Sequence, residues 1–144
     1  MELKNKIAVI TGANKGIGLC CVEQLLAEGA FVYGICRSGC TISHENYTCL
    51  KADVQHFDQV ESVFKTILDK HEKIDILINN AGLGYFGFCE DMPLEQWHTM
   101  FNTNVNGLFY ATKMVLPSLA ISFNNSIMAC SVAMSTPAKG SSIK

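Results

Sequence analysis

The sequence predicts an α/β fold, a doubly wound parallel sheet with helices on both faces, and three observations carry that expectation. Short apolar runs alternate along the chain with segments whose apolar residues recur at helical spacing. The run at residues 74–80 is almost continuously apolar, as a strand buried on both faces requires. The first run, residues 7–11, passes directly into a glycine turn and then a helix.

Taken in order, residues 7–11 form a strand that Thr11 and Gly12 end, and a helix follows the turn and runs to Glu28. Residues 29–36 are a second strand. Residues 37–46 are too rich in Ser, Gly and Thr for a helix, and residues 47–52 make a short third strand. Val60, Val63, Phe64, Ile67 and Leu68 place a helix over residues 58–71. After the fourth strand, Pro93 opens a helix at residues 93–100, and a longer helix covers about 105–119. Residues 126–130 are a fifth strand. Strands separated by helices imply parallel pairing through crossover connections. No repeat or linker divides the 144 residues, which predict one domain.

Composition narrows the function. With 49% hydrophobic and 17% charged residues the chain is foldable rather than disordered. A net charge of −2 with no basic stripe argues against nucleic acid or a membrane surface as partner. The opening residues lead straight into the first strand without a signal-peptide pattern, and no apolar run is long enough to span a bilayer, so the expected location is cytoplasmic. Seven cysteines, at 20, 21, 36, 40, 49, 89 and 130, include no CxxC pair. They predict small buried hydrophobes rather than a disulfide framework or thiolate metal site. The histidines at 44, 56, 71 and 98 show no ligand spacing, so no metal is expected.

The turn at residues 12–18 carries the most chemistry. Gly12, Gly16 and Gly18, with Asn14, Lys15 and Ile17 between them, join a strand to a helix N-terminus, where backbone amides and the helix dipole favour phosphate. The spacing is GxxxGxG rather than the commoner GxGxxG. A strand-to-helix turn also needs glycine for conformational reasons alone. Asp53 and Val54 lie just past the third strand, where open α/β sheets bind ligands, and a helix-capping role for Asp53 is compatible with that position. Asn79, Asn80, Ala81 and Gly82 follow the fourth strand with amides able to tie strands together and small residues able to lie against a ribose. Asn104 stands at the mouth of an apolar helix, where N-capping would also account for it.

Together these motifs resemble the short-chain dehydrogenase/reductase family, classical type, over residues 3 to about 133. Thr11 to Gly18 looks like its cofactor loop, Asp53-Val54 like its adenine-contacting pair and Asn79-Asn80-Ala81-Gly82 like its NNAG motif. Asn104 in Asn104-Val105-Asn106-Gly107 is similar to its active-site asparagine, which steadies a helix bend and holds a proton-relay water, and Ser131 aligns with its catalytic serine. The resemblance implies a Rossmann-like sheet of order 3-2-1-4-5, a nicotinamide dinucleotide cofactor and reversible hydride transfer to a small-molecule carbonyl or from an alcohol. It also implies a tyrosine proton donor paired with lysine in a YxxxK helix beyond Ser131. This chain holds no such helix, and no tyrosine follows Tyr110. Tyr110 and Lys113 have the wrong spacing and precede the serine, and read as ordinary helix-surface residues.

The expectation is therefore an incomplete, C-terminally truncated domain that keeps the cofactor half of the site and is inactive or nearly so. A noncatalytic nucleotide-binding or interaction protein that pairs with full-length relatives is the alternative, and a full-length form would be a homo-oligomer. For the cofactor, NAD-type sites place a carboxylate at the end of the second strand, where this chain has Cys36 followed by Arg37. With Lys15 nearby, each cation–phosphate contact at ~4 Å is worth about 4 kcal/mol before desolvation at an intermediate dielectric, which favours NADP(H) over NAD(H). Phe86, Phe88 and Trp97 could line a substrate pocket, with core or helix packing the favoured role.

Overall fold

A computed structural model describes residues 2–120 and 129–131. Five parallel strands, β1 (Ile7–Thr11), β2 (Phe31–Cys36), β3 (Tyr47–Lys51), β4 (Ile76–Asn79) and β5 (Ala129–Ser131), lie in the order β3-β2-β1-β4-β5. The expected fold class and strand order are both observed. Helices α1 (Gly16–Ala27) and α2 (Phe57–His71) make the first crossovers.

Alternation along β1 explains why its whole length is apolar. Ile7 and Val9 join a core beneath α2 with Tyr33, Ile35, Phe64 and Ile67, whereas Ala8 and Ile10 join a second core beneath α1 with Val22, Leu26 and Val32. Each fully buried Val, Ile or Phe contributes about 1.5–3 kcal/mol, so the central strand anchors the cores on both faces. Asp75 fixes the entry to β4. Its Oδ2 accepts from the Ile7 amide at 2.9 Å, while Oδ1 meets Lys73 Nζ at 2.9 Å and Lys6 Nζ at 3.5 Å.

Two expectations need correction. The helices predicted at 93–100 and 105–119 are one continuous helical path: α3 (Leu94–Phe101) runs through a π-helical segment (Asn102–Gly107) into α4 (Leu108–Ala120). Asn104 is therefore not an N-cap. The second correction concerns the cysteines, since Cys40 and Cys49 form a disulfide, with Cα atoms 5.9 Å apart. Spacing alone missed it, because the connection between β2 and β3 folds back and brings together residues whose separation carries no motif. Of the others whose side chains are described, Cys36 is buried, while Cys20 and Cys89 are exposed.

Candidate functional site

Thr11 and Asn80 build the floor of the site. The Thr11 hydroxyl oxygen accepts from the backbone amides of Asn80 (3.1 Å) and Ala81 (3.0 Å), and Asn80 Nδ2 donates to the carbonyls of Thr11 and Gly12, each at 3.0 Å. Four hydrogen bonds thus weld the end of β1 to the segment after β4. The Gly12 amide donates to Ile35 O at 2.8 Å, which brings in the end of β2. The ends of β1, β2 and β4 are thus held together by bonds to backbone groups rather than by flexible charges.

The glycines serve separate needs. Gly12 has φ +69°, and a Cβ there would sit 2.9 Å from Ala81 Cα. Gly18 has ordinary φ, but a Cβ would run into the Gly12 carbonyl and Asn80 Nδ2. Gly16, at φ +57°, has open space around it, so conformation alone selects it. The N-terminus of α1 has no side-chain cap among the described residues and carries no acidic residue in its first turn. Its unsatisfied amides face a cradle that glycine keeps open, a good fit for the pyrophosphate of a dinucleotide. Lys15 and Ile17 are exposed on that turn, and Asn14 Nδ2 donates to Ser38 Oγ at 2.9 Å, tying the turn to the residue after Arg37. Arg37 itself is exposed and makes no ion pair among the described residues.

On the other side of β1, Asn104 reaches from the π-helical segment. Its Oδ1 accepts from the Leu83 amide at 2.9 Å and its Nδ2 donates to the Leu83 carbonyl at 2.8 Å. Gly82 passes beneath it, with 3.3 Å between a Cβ there and Asn104 Oδ1. Widened helical turns of this kind expose backbone groups and occur often at functional sites. Asn79 Nδ2 donates to Thr112 Oγ1 at 3.1 Å, and its Oδ1 is buried with no partner among the described residues. Asn79 also pairs in register with Ser131, which puts the Ser131 backbone at the same sheet end.

Asp53 is half-buried and Val54 is buried. Asp53 Oδ1 accepts from Gln55 N at 3.0 Å and its amide donates to Gln59 Oε1 at 2.9 Å, so it shapes the entry to α2. Val54 is buried, and Gly107 exists where it does because a Cβ would fall 2.8 Å from Val54 Cγ2. Phe86 and Phe88 are over 70% exposed, against the expected packing role, while Trp97 stacks on Phe101 with centroids 5.6 Å apart. Tyr110 and Lys113 are taken up by Phe57 of α2, in an edge contact at 5.3 Å and a cation–π contact at 5.8 Å.

One arrangement escaped the motif reading. Tyr47 and Lys51 have tyrosine–lysine i,i+4 spacing, but in β3. Burial, and then the neighbouring Cys36, push the Tyr47 phenol up to about 12, opposite to what a proton donor near neutrality needs. Its hydroxyl lies buried with no partner among the described residues.

A doubly wound parallel sheet whose central strand ends in a glycine cradle defines a nucleotide-binding protein of Rossmann type. The chain belongs to the short-chain dehydrogenase family: the family model described as "short chain dehydrogenase" matches residues 6–143. It is 39% identical over 116 residues to the "Probable short-chain type dehydrogenase/reductase VdlC" of Helicobacter pylori, covering 78% of this chain and 43% of that protein. It is 37% identical over 122 residues to a 3-oxoacyl-[acyl-carrier-protein] reductase of Vibrio harveyi, covering 81% of this chain and 50% of the reductase. Among solved structures it resembles a 3-ketoacyl-(acyl-carrier-protein) reductase from Brucella melitensis complexed with NADH, with a TM-score of 0.78, 25% identity, and coverage of 88% of this chain and 56% of that one. The chain spans about half the length of the curated relatives it matches.

Proposed function

We propose that this chain is the cofactor-binding part of an NADP(H)-dependent oxidoreductase acting on a carbonyl or alcohol. The observation that carries the reading is the Thr11–Asn80 weld, which aligns an uncapped helix N-terminus with the segment Asn80-Ala81-Gly82 across one sheet end. Bound there, the cofactor supplies or accepts a hydride. The chain's own residues bind and orient it: the amides of Gly16, Ile17 and Gly18 take the pyrophosphate, and Asn80, Ala81 and Gly82 lie along a ribose. Asp53 and Val54 flank the adenine, Asp53 through its remaining carboxylate oxygen or its backbone.

Preference for the 2′-phosphate rests on three residues. Cys36 stands where a carboxylate would select NAD(H), and Arg37, exposed and free of ion pairs among the described residues, follows it. Lys15 adds a second cation on the helix side, next in the chain to Asn14, whose side chain bonds Ser38. Fluorescence titration with NADPH and NADH tests this. NADPH should bind at least about tenfold more tightly, and Arg37→Ala should remove most of that difference. Equal affinities, or tighter NADH binding in the parent and the variant alike, would overturn the preference.

On the reaction side, Asn104 holds the loop after β4 and Ser131 is the candidate for gripping a carbonyl oxygen. The 144 residues hold no YxxxK helix. The chain's own contribution is therefore binding, with turnover slow or absent, since a missing general acid alone typically costs about 10²–10⁴ in rate. A second reading, a noncatalytic partner of full-length relatives, draws on Leu94, Trp97, Phe101, Val105 and Leu108, an exposed apolar row along α3 and α4 suited to subunit pairing. NADPH oxidation with a panel of carbonyls separates the two. Turnover abolished by Ser131→Ala excludes the noncatalytic reading.

A further inference from the structure

Three sulfurs meet where β2 ends. Cys36 Sγ lies 3.2 Å from Cys40 Sγ and 3.7 Å from Cys49 Sγ, and Cys40 and Cys49 are bonded to each other. Cys36 is buried, whereas its two neighbours are partly exposed. A free thiol lying beside both sulfurs of a disulfide is within reach of exchange, which proceeds when the thiolate comes into line with the bond between the sulfur it attacks and the sulfur that leaves.

We propose that Cys36, Cys40 and Cys49 form a thiol–disulfide exchange centre that reacts with low-molecular-weight thiols and disulfides. Attack of the Cys36 thiolate on Cys40 Sγ forms a Cys36–Cys40 bond, breaks Cys40–Cys49 and releases Cys49 as the thiolate. Attack on Cys49 instead releases Cys40. Neither step needs an outside oxidant. Full reduction consumes two small thiols and yields their disulfide, and the reverse reaction reoxidises the protein.

Position gives the centre a consequence, which rests on the proposed dinucleotide site. The 40–49 bond closes a nine-residue separation and pins the connection after β2 against β3. A 36–40 bond instead closes a ring around Arg37, Ser38 and Gly39, and Ser38 is the residue that Asn14 of the glycine turn holds. Moving the bond therefore moves the residues facing the adenosine end of the cofactor.

The test uses the full chain, reduced with dithiothreitol, equilibrated with glutathione and oxidised glutathione, acid-trapped, alkylated and mapped by non-reducing mass spectrometry. Cys49→Ser should yield a 36–40 disulfide and Cys40→Ser a 36–49 disulfide, with circular dichroism matching the parent. If Cys36 stays a free thiol in both folded variants, the exchange centre is overturned. It is overturned equally if the reduced parent holds zinc stoichiometrically through Cys36 and forms no disulfide in the glutathione mixture. NADPH titration of the reduced and oxidised parent then reads the coupling. A change of about fivefold or more supports it, and equal affinities overturn it. Exchange mapped without dinucleotide binding in either state would fail the cofactor reading and leave the centre standing.

Discussion

Asn104 closes both backbone groups of Leu83, accepting from its amide at 2.9 Å and donating to its carbonyl at 2.8 Å. A side-chain amide carries its acceptor and its donor on separate atoms of one planar group, so it can meet both backbone groups of a single residue at once. Asn104→Ala should therefore cost about 1–3 kcal/mol in urea unfolding, because it leaves two part-buried backbone groups unpaired. Asn104→Asp keeps the acceptor but aims a carboxylate oxygen at a carbonyl, and should be no better than alanine. If alanine is neutral, the loop after β4 is held by something else.

Gly18 and Gly16 separate space from conformation. In Gly18→Ala the new methyl meets the Gly12 carbonyl and Asn80 Nδ2, groups fixed by the weld, so it should destabilise by about 1–3 kcal/mol and weaken dinucleotide binding. Gly16→Ala meets nothing, and only its φ of +57° opposes it, so its cost should be about 1–2 kcal/mol. Thermal unfolding of the two variants, with and without NADPH, checks the ordering.

Tyr47 and Gly34 form a coupled pair in which one residue is small because the other is large. A Cβ at Gly34 would collide with the Tyr47 hydroxyl and lie 2.8 Å from Ala13 Cβ. The hydroxyl has no partner among the described residues, so Tyr47→Phe should be neutral or stabilising by about 1 kcal/mol. Gly34→Ala should destabilise the parent more than it destabilises Tyr47→Phe. A double-mutant cycle with no coupling would contradict the packing described.

What the sequence showed and what it hid divide along physical lines. β1 and β4 were legible because burial on both faces leaves an apolar run, and α2 because burial on one face leaves a period. The glycine turn was legible as a motif, although its separate reasons, conformation at Gly16 and contact at Gly18, emerge only in the folded chain. The π-helical segment was not legible, because its hydrogen-bond register has no residue signature and Asn104 reads equally well as a cap. The Cys40–Cys49 pair depends on how an irregular connection folds back, which no spacing encodes. Phe86 and Phe88 look like core residues by type, and only the fold reveals them as exposed.

Asp75 makes stability depend on acid. Burial alone would raise its pKa, but the Ile7 amide, the Lys73 hydrogen bond and the charges of Lys73 and Lys6 outweigh that and hold it below the ordinary carboxylate value of 3.8. A carboxyl depressed in the folded state contributes stability that is fully present above its unfolded pKa and is lost as pH falls through the lower folded value. The window therefore opens near 3.8 and extends downward. In Asp75→Asn this contribution is absent at every pH. Urea unfolding should show parent and variant separated by a constant gap from neutral pH to about pH 5, with the gap closing as pH falls below about 4. Raised salt should shrink the gap only in part, since it screens Lys6 and the half-exposed Lys73 but not the Ile7 amide bond. A gap that widens in acid would mean that Asp75 is protonated more readily in the folded chain, and would reverse the assignment.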